Sequence, residues 1–311
     1  MNIGVIGCGN VGFAFLIWLY KMGFSILGLD TNISVRNRII NEIGIYYCAN
    51  SIEDLAICDC IFICVPTEPN ADGSVDMSIY DSVIRAIKGV SAFEKDVSII
   101  QRSTCPPGTA DFYSGFLGSK FSYGVNPSFL RKSTMQYDTE HPERIAYAGD
   151  QAARKRLDII YNEIPAHRFI TNDFKSVELL KYVENSLDSL LISFWNEILS
   201  YAKEIHLSST EFFRLIEHIS DREKYCTVSR IPGMAFGLSC LPKDLMALII
   251  EMRKTGIQAN VLEGAWITNQ KMKQIIGEST VPAQDLWRLN DGKFVLLENG
   301  KKQILSFFGM T

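Results

Sequence analysis

Hydrophobic positions follow two rhythms along this chain. In the first half, short apolar runs alternate with segments of helical period. Asn2–Ile6, Ser25–Leu29, Cys60–Val65, Asp96–Gln101 and Phe121–Val125 read as strands. Runs that are apolar throughout, rather than alternating, suit strands of a parallel sheet covered on both faces. A helical run to Leu19 follows the first strand, and Ala152–Asn162 reads as a further helix between strands at Arg144–Ala148 and Ala166–Ile170. From Asp173 to about His206 the pattern changes to one long helical period without Pro or Gly. At 1.5 Å per residue this is about 50 Å of helix, too long for one small core. It is expected to join two domains and to bury two surfaces, because its apolar positions (Val177, Leu180, Val183, Leu187, Leu190, Leu191, Phe194, Ile198, Tyr201) exceed one face. More helices are expected over Ser209–Ile219, Lys243–Lys254 and Ile257–Ile276. Beyond them the chain reads as a loop and a hairpin, Lys293–Leu297 and Lys302–Phe307 about a turn at Glu298-Asn299-Gly300.

Composition narrows the partners. The 311 residues suffice for two domains, with 47% apolar and 21% charged residues, an ordinary globular balance. A net charge of -4 argues against nucleic acid or an anionic membrane as the main partner. Eight cysteines without a secretory leader pattern point to a reducing, cytoplasmic compartment. No uncharged run reaches membrane-spanning length.

The first strand leads into Gly7-Cys8-Gly9-Asn10-Val11-Gly12 and then a helix, the G-x-G-x-x-G pattern in the context it requires. The first glycine makes the turn and the second lets backbone approach a pyrophosphate. The third lets helix and strand pack closely, with the phosphates at the helix N-terminus. The second strand ends in Asp30, whose carboxylate accepts bonds from ribose hydroxyls and repels a 2′-phosphate; NAD is favoured over NADP. Arg36 lies downstream, offset by several residues. The chain therefore opens with a Rossmann-like α/β domain over residues 1–172. A helical domain built on the long central helix follows over 173–276, with a short tail over 277–311. Ligands of such sheets bind beyond the carboxyl ends of the strands. Val65, Pro66 and Thr67 after the third strand, and Ser103 and Thr104 after the fourth, are therefore placed to meet cofactor or substrate. Their hydroxyls could equally cap the turns that follow.

The segment Pro232–Asp244 carries the second candidate chemistry. Small residues, among them Gly237, lead into Cys240; Pro242, Lys243 and Asp244 follow, then an apolar helical run. Pro fits a helix's first turn, so Cys240 is expected at or just before a helix N-terminus, where the helix dipole favours a thiolate and Lys243 adds positive charge. The alternative is a buried structural thiol. Lys181 and Asn185 share a face of the long helix at i, i+4, either as site residues or as ordinary solvated ones. His141, His167, His206 and His218 are scattered without metal-ligand spacing. Cys58, Cys60 and Cys64 lack it too and should pack in or beside the third strand.

Together these motifs resemble the UDP-glucose/GDP-mannose dehydrogenase family. The matching pieces are the glycine loop with Asp30, Cys64–Thr67 with Asp72–Asp76, Ser103–Thr109, Asn126–Arg131, Glu178–Asn185, Phe194–Glu197 and Gly237–Asp244, covering about residues 1–276. The resemblance implies NAD-dependent four-electron oxidation of a sugar nucleotide. An alcohol becomes an aldehyde, a cysteine captures it, a second oxidation leaves a thioester, and water hydrolyses it. It makes Cys240 the nucleophile and Lys181 and Asn185 stabilisers of the oxyanion. Asp244 would orient a water and Lys181, and Thr104 would position water or substrate and touch the cofactor. Lys243 joins the cofactor contacts, and Phe129, Leu130, Arg131 and Gly237 those to the sugar. Arg222 resembles an arginine offered across a dimer interface, at a slightly short spacing from Cys240. A homodimer through the long helix is implied, with a small molecule as the other partner and no metal.

Three departures stand out. Ser128 and Lys132 occupy positions where the family usually carries glutamates, the first of them associated with acid–base and water handling. Ala235 and Leu238 replace loop glycines. Residues 277–311 are too few for the family's C-terminal domain. Two rival readings remain: a two-electron dehydrogenase on a smaller hydroxy compound, and a binding or regulatory homologue that holds NAD without turnover.

Overall fold

The computed structural model describes residues 1–93, 96–220, 235–236, 240–256, 258–276, 287–290 and 293–296. The chain divides into two compact units, Met1–Lys181 and Tyr182–Thr311. The first unit is built on a seven-stranded sheet of β1 (Asn2–Ile6), β2 (Ser25–Leu29), β3 (Cys60–Ile63), β4 (Val97–Gln101), β5 (Phe121–Val125), β6 (Arg144–Gly149) and β7 (His167–Thr171), in the order β2-β1-β3-β4-β5-β6-β7. Strands β1 to β5 are mutually parallel; β6 runs antiparallel to β5, and β7 pairs parallel with β6.

Helices cover both faces: α1 (Asn10–Lys21), α2 (Ile33–Ile43), α3 (Ser78–Gly89), α4 (Thr109–Leu117), α5 (Met135–Glu140) and α6 (Gln151–Tyr161). Strand β3 makes the reason for its unbroken apolar run visible. Ile61 and Ile63 join one buried cluster with Tyr80, Ile84 and Ile87 of α3. Cys60 and Phe62 join the other with Phe15 and Leu16 of α1 and Leu157 of α6. Successive side chains point to opposite faces, and both faces are buried, so no polar alternation survives. Cys58 and Cys60 are buried in or beside β3, with Cys64 just beyond it.

Helix α7 (Phe174–Glu204) runs for 31 residues, and the division between the units falls within it. Its first turns belong to the sheet unit, where Val177 is buried and Phe174 and Leu180 pack against the same cluster. The second unit adds α8 (Ser209–Ser220), α9 (Cys240–Lys254) and α10 (Asn260–Ile276). Its core gathers Ile192 of α7, Phe236, Leu245 and Ile249 of α9, and Ala265 of α10. Trp195 meets Phe212 of α8 edge-on, with ring centroids 6.5 Å apart.

The helix boundaries differ in places from the sequence reading; α9 starts at Cys240 rather than Lys243. Helix α10 starts at Asn260 rather than Ile257, because the chain leaves α9 through Gly256 at φ +80°, a left-handed conformation that favours glycine. Ahead of Lys293, where the sequence reads as a loop, a further strand forms. Strands β8 (Trp287–Asn290) and β9 (Lys293–Leu296) pair antiparallel with Asn290 opposite Lys293. Lys302–Phe307 lies outside the described residues. Among these residues no helix is long and apolar enough to cross a membrane, and no group of three or more His, Cys, Asp and Glu could hold a metal ion.

Candidate active site

The sheet unit carries the glycine loop between β1 and α1. Gly7 lies at φ +84°, and a Cβ there would come within 2.9 Å of the Cys64 and Val65 backbone. A Cβ on Gly12 would fall 2.0 Å from the Gly7 carbonyl oxygen, so strand, turn and helix close up only around glycine. Gly9 is different: a Cβ there meets nothing within 4 Å, so the loop opens onto free space at that point. Gly9 is the N-cap of α1 without a side-chain capping bond, and no acidic residue occupies the helix's first turn. The N–H groups at Asn10, Val11 and Gly12 thus offer a positive helix end to an anion. Asp30 is fastened beneath the loop, its carboxylate accepting the N–H of Cys8 at 2.8 Å and that of Asn32 at 2.8 Å. Arg36 is engaged elsewhere, donating to Asn50. These residues fit the diphosphate and ribose of a dinucleotide.

Thr67 and Ser103 serve the scaffold. The Thr67 hydroxyl donates to the Thr104 carbonyl at 2.8 Å, and that of Ser103 to the Val65 carbonyl at 2.7 Å. Together they clasp the loops after β3 and β4. Both hydroxyls are buried; Thr104 and Pro66 remain accessible beside them.

The loop after β5 is anchored by Asn126, which is buried. Its amide donates to the Ala146 carbonyl at 2.9 Å, and its oxygen accepts from Tyr161 at 2.7 Å and Arg102 at 2.6 Å. Arg131 turns back on Asp138, with its backbone N–H and Nε donating at 2.9 and 3.0 Å and Nη2 at 2.5 Å. Its guanidinium is thus engaged within the loop. Phe129 and Leu130 are half-buried, and the Lys181 ammonium lies 5.1 Å from the Phe129 ring centroid.

One turn before Lys181, Glu178 is buried in the sheet unit. Its carboxylate accepts from Gln101 Nε2 at 2.8 Å and from the N–H groups of Gly108 at 2.6 Å and Ala110 at 2.8 Å. Burial pushes its carboxyl up to about 7, although those three bonds pull the other way. Gln101 in turn accepts from Tyr123, which shares a 2.7 Å bond with Tyr80. This buried chain fixes the helical turn that carries Lys181 to the end of β4 and the start of α4. The sequence signal for it was an acidic residue at i−3 from Lys181, too common to single out.

In the second unit Cys240 is the first residue of α9 and exposed, where the sequence placed it. The other described cysteines are buried or half-buried. Burial raises the thiols of Cys8 and Cys60 and takes Cys64 to about 12, so these stay protonated. Lys243 does not stand as a free charge beside Cys240: its ammonium pairs with the buried Asp244 at 2.6 Å. The Asn185 amide donates to the other oxygen of Asp244. Asn185 is buried and Lys181 half-buried, so this stretch of α7 is not a solvated face. Asn269, wholly buried, donates to the Phe236 carbonyl at 3.0 Å and holds the segment that leads toward the cysteine. Gly237 and Arg222 lie outside the described residues.

Residues 40–165 match the NAD binding domain of the UDP-glucose/GDP-mannose dehydrogenase family, and residues 175–271 match its central domain. The chain is 28% identical over 297 residues to UDP-glucose 6-dehydrogenase of Rickettsia conorii, covering 87% of this chain and 67% of that protein. It is 28% identical over 308 residues to GDP-mannose 6-dehydrogenase of Pseudomonas aeruginosa, covering 88% and 69%. A solved UDP-glucose dehydrogenase from Pyrobaculum islandicum superposes with a TM-score of 0.79 at 28% identity, over 88% of this chain and 68% of that one. The chain spans about two thirds of the length of the curated relatives it matches.

Proposed function

We propose that this chain, which belongs to the UDP-glucose/GDP-mannose dehydrogenase family, oxidises the primary alcohol of a nucleotide-linked sugar through a covalent adduct on Cys240. The observation that carries the reading is the exposed thiol at the first position of α9, three residues before the Lys243–Asp244 pair. NAD, when bound, supplies the hydride acceptor. Gly7, Gly9, Asn10, Val11, Gly12 and Asp30 would hold it, with Val65, Pro66, Thr67, Ser103 and Thr104 bordering its reactive end.

The chain's own residues do the rest. Cys240 attacks the aldehyde carbon, and the oxygen gains negative charge as the C–S bond forms. Lys181 and Asn185 are the donors assigned to that oxygen. Asp244 holds one amide N–H of Asn185 and so orients the donor. Phe129, Leu130, Arg131, Gly237 and Arg222 are assigned to the sugar nucleotide. With the Arg131 guanidinium committed to Asp138, that residue's contribution falls to its backbone. Free cysteines throughout the described residues suit a reducing, cytoplasmic setting. A second copy of this chain is the proposed protein partner.

A second reading is favoured by Ser128. Without a carboxylate there, oxidation stops at the aldehyde or the acyl-enzyme instead of reaching the free acid. A screen of nucleotide sugars that follows NADH, with products identified by mass, separates the readings. Two NADH and a free acid per substrate, turning over, support the complete four-electron reaction. One NADH with free aldehyde marks a stop at the aldehyde, and a single burst of two NADH with Cys240 acylated marks a stop at the acyl-enzyme. NAD binding without turnover on any nucleotide sugar would defeat both.

A further inference from the structure

Beside the anchor of the β5 loop, the sheet unit carries a partly open cavity of about 30 Å³ lined by Phe15, Arg102, Asn126, Ser128, Arg144 and Tyr161, among others. That is room for a few water-sized atoms. Arg102 is part of its polar wall. The residue is 6% exposed, its guanidinium stacked on the Phe15 ring at 4.0 Å. Nη1 donates to Asn126 and Tyr161, both neutral, and Nε is buried without a partner.

No carboxylate pairs with Arg102 among the described residues. Asp138 also lines the cavity, but its two oxygens are taken by Arg131 and Thr134. The nearby Cys64 thiol is held protonated by burial and adds no charge. A second guanidinium, Arg144, lines the same space. A buried cation with a missing counter-ion is costly, and a guanidinium's fork of N–H donors matches a small planar anion. We propose that this cavity binds a small monovalent anion, chloride or a formate-sized carboxylate, against Arg102. The site supplies the charge that the loop residue Ser128 lacks.

Thermal unfolding of the full chain tests this at fixed ionic strength, with chloride or formate replacing the bulky 2-(N-morpholino)ethanesulfonate. A saturating rise of roughly 2–5 °C is expected for an anion that fits. A larger shift with formate than with chloride identifies a carboxylate site, and the reverse a halide site. Arg102→Gln should abolish the response. Should that variant not fold, Ser128→Glu provides the second arm: a carboxylate built into the cavity should raise the midpoint and remove the anion response. Equal, non-saturating shifts with all three anions, or an undiminished response in Ser128→Glu, would overturn the proposal.

Discussion

The Lys181 ammonium on α7 lies 5.1 Å from the centre of the Phe129 ring, joining the long helix to the loop after β5 within one unit. The ring face attracts the cation and limits where the ammonium can reach. Glu178, one turn earlier, fixes the same helical turn from below through Gln101, Gly108 and Ala110. Lys181 is thus held on both sides.

Removing the donor itself should cost most. Lys181→Ala is expected to lower the rate of NADH formation by about 10²–10³-fold, the usual loss for one oxyanion donor. Phe129→Leu, which keeps bulk but removes the ring, should cost roughly 2–30-fold. Steady-state kinetics on the accepted nucleotide sugar decide it. An unaltered kcat in Lys181→Ala would remove this residue from the chemistry.

Ser128 cannot act as a general base near neutral pH, and such a base is worth about 10²–10⁴-fold in rate. Thioester hydrolysis should therefore lag behind oxidation. Intact-protein mass spectrometry after mixing with substrate and NAD should find acyl-enzyme on Cys240, absent in Cys240→Ser. Ser128→Glu should speed its decay. Rapid release of free acid with no adduct would mean that another group does the work of the missing glutamate.

The raised Glu178 carboxyl makes stability depend on pH. Its folded value of about 7 lies above that of an unfolded glutamate, so between those values the native state holds a proton the unfolded chain has lost. Its contribution is full below the unfolded value, falls as pH rises toward 7, and is flat above. The whole effect is at most about 3.5 kcal/mol. Urea midpoints at several pH values should decline across that window in the parent and less in Glu178→Gln. Parallel slopes would show that Glu178 is not the titrating group.

Asp30 is tied to the Cys8 N–H directly under the loop that would hold the diphosphate. A 2′-phosphate would meet this carboxylate while Arg36 is engaged with Asn50. Calorimetry should find NAD binding much more tightly than NADP, with the gap narrowed by Asp30→Ala. Equal affinities would refute the assignment.

Leu179, Val183, Leu187 and Phe194 form an exposed apolar stripe along α7. At steps of four, four and seven residues they share one side of the helix. Light scattering at micromolar concentration should give a dimer, and Leu187→Glu combined with Phe194→Glu should shift it to monomer. A monomeric parent protein would end this reading.

Much of the fold was legible because its causes are local. Strand β3 announced its two covered faces by having no polar alternation. Gly7 and Gly12 stood where only a missing Cβ lets turn, strand and helix close up. Pro242 marked the first turn of α9, and so the position of Cys240. Each of these signals lies within a few residues, where backbone sterics and side-chain period operate.

What the tertiary structure alone decided depends on residues far apart in the chain. Glu178 meeting Gln101, Asn185 meeting Asp244, and Arg102 meeting Phe15 follow from which strand neighbours which and how the helices pack. Charges also depend on the fold when their partners are near in sequence, because pairing geometry and burial are set in space. Read along the chain, Lys243 is a cation beside a cysteine and Arg131 a cation free for substrate; folded, each is neutralised by an aspartate. Charges act through space and burial, and neither distance nor burial is written in sequence spacing.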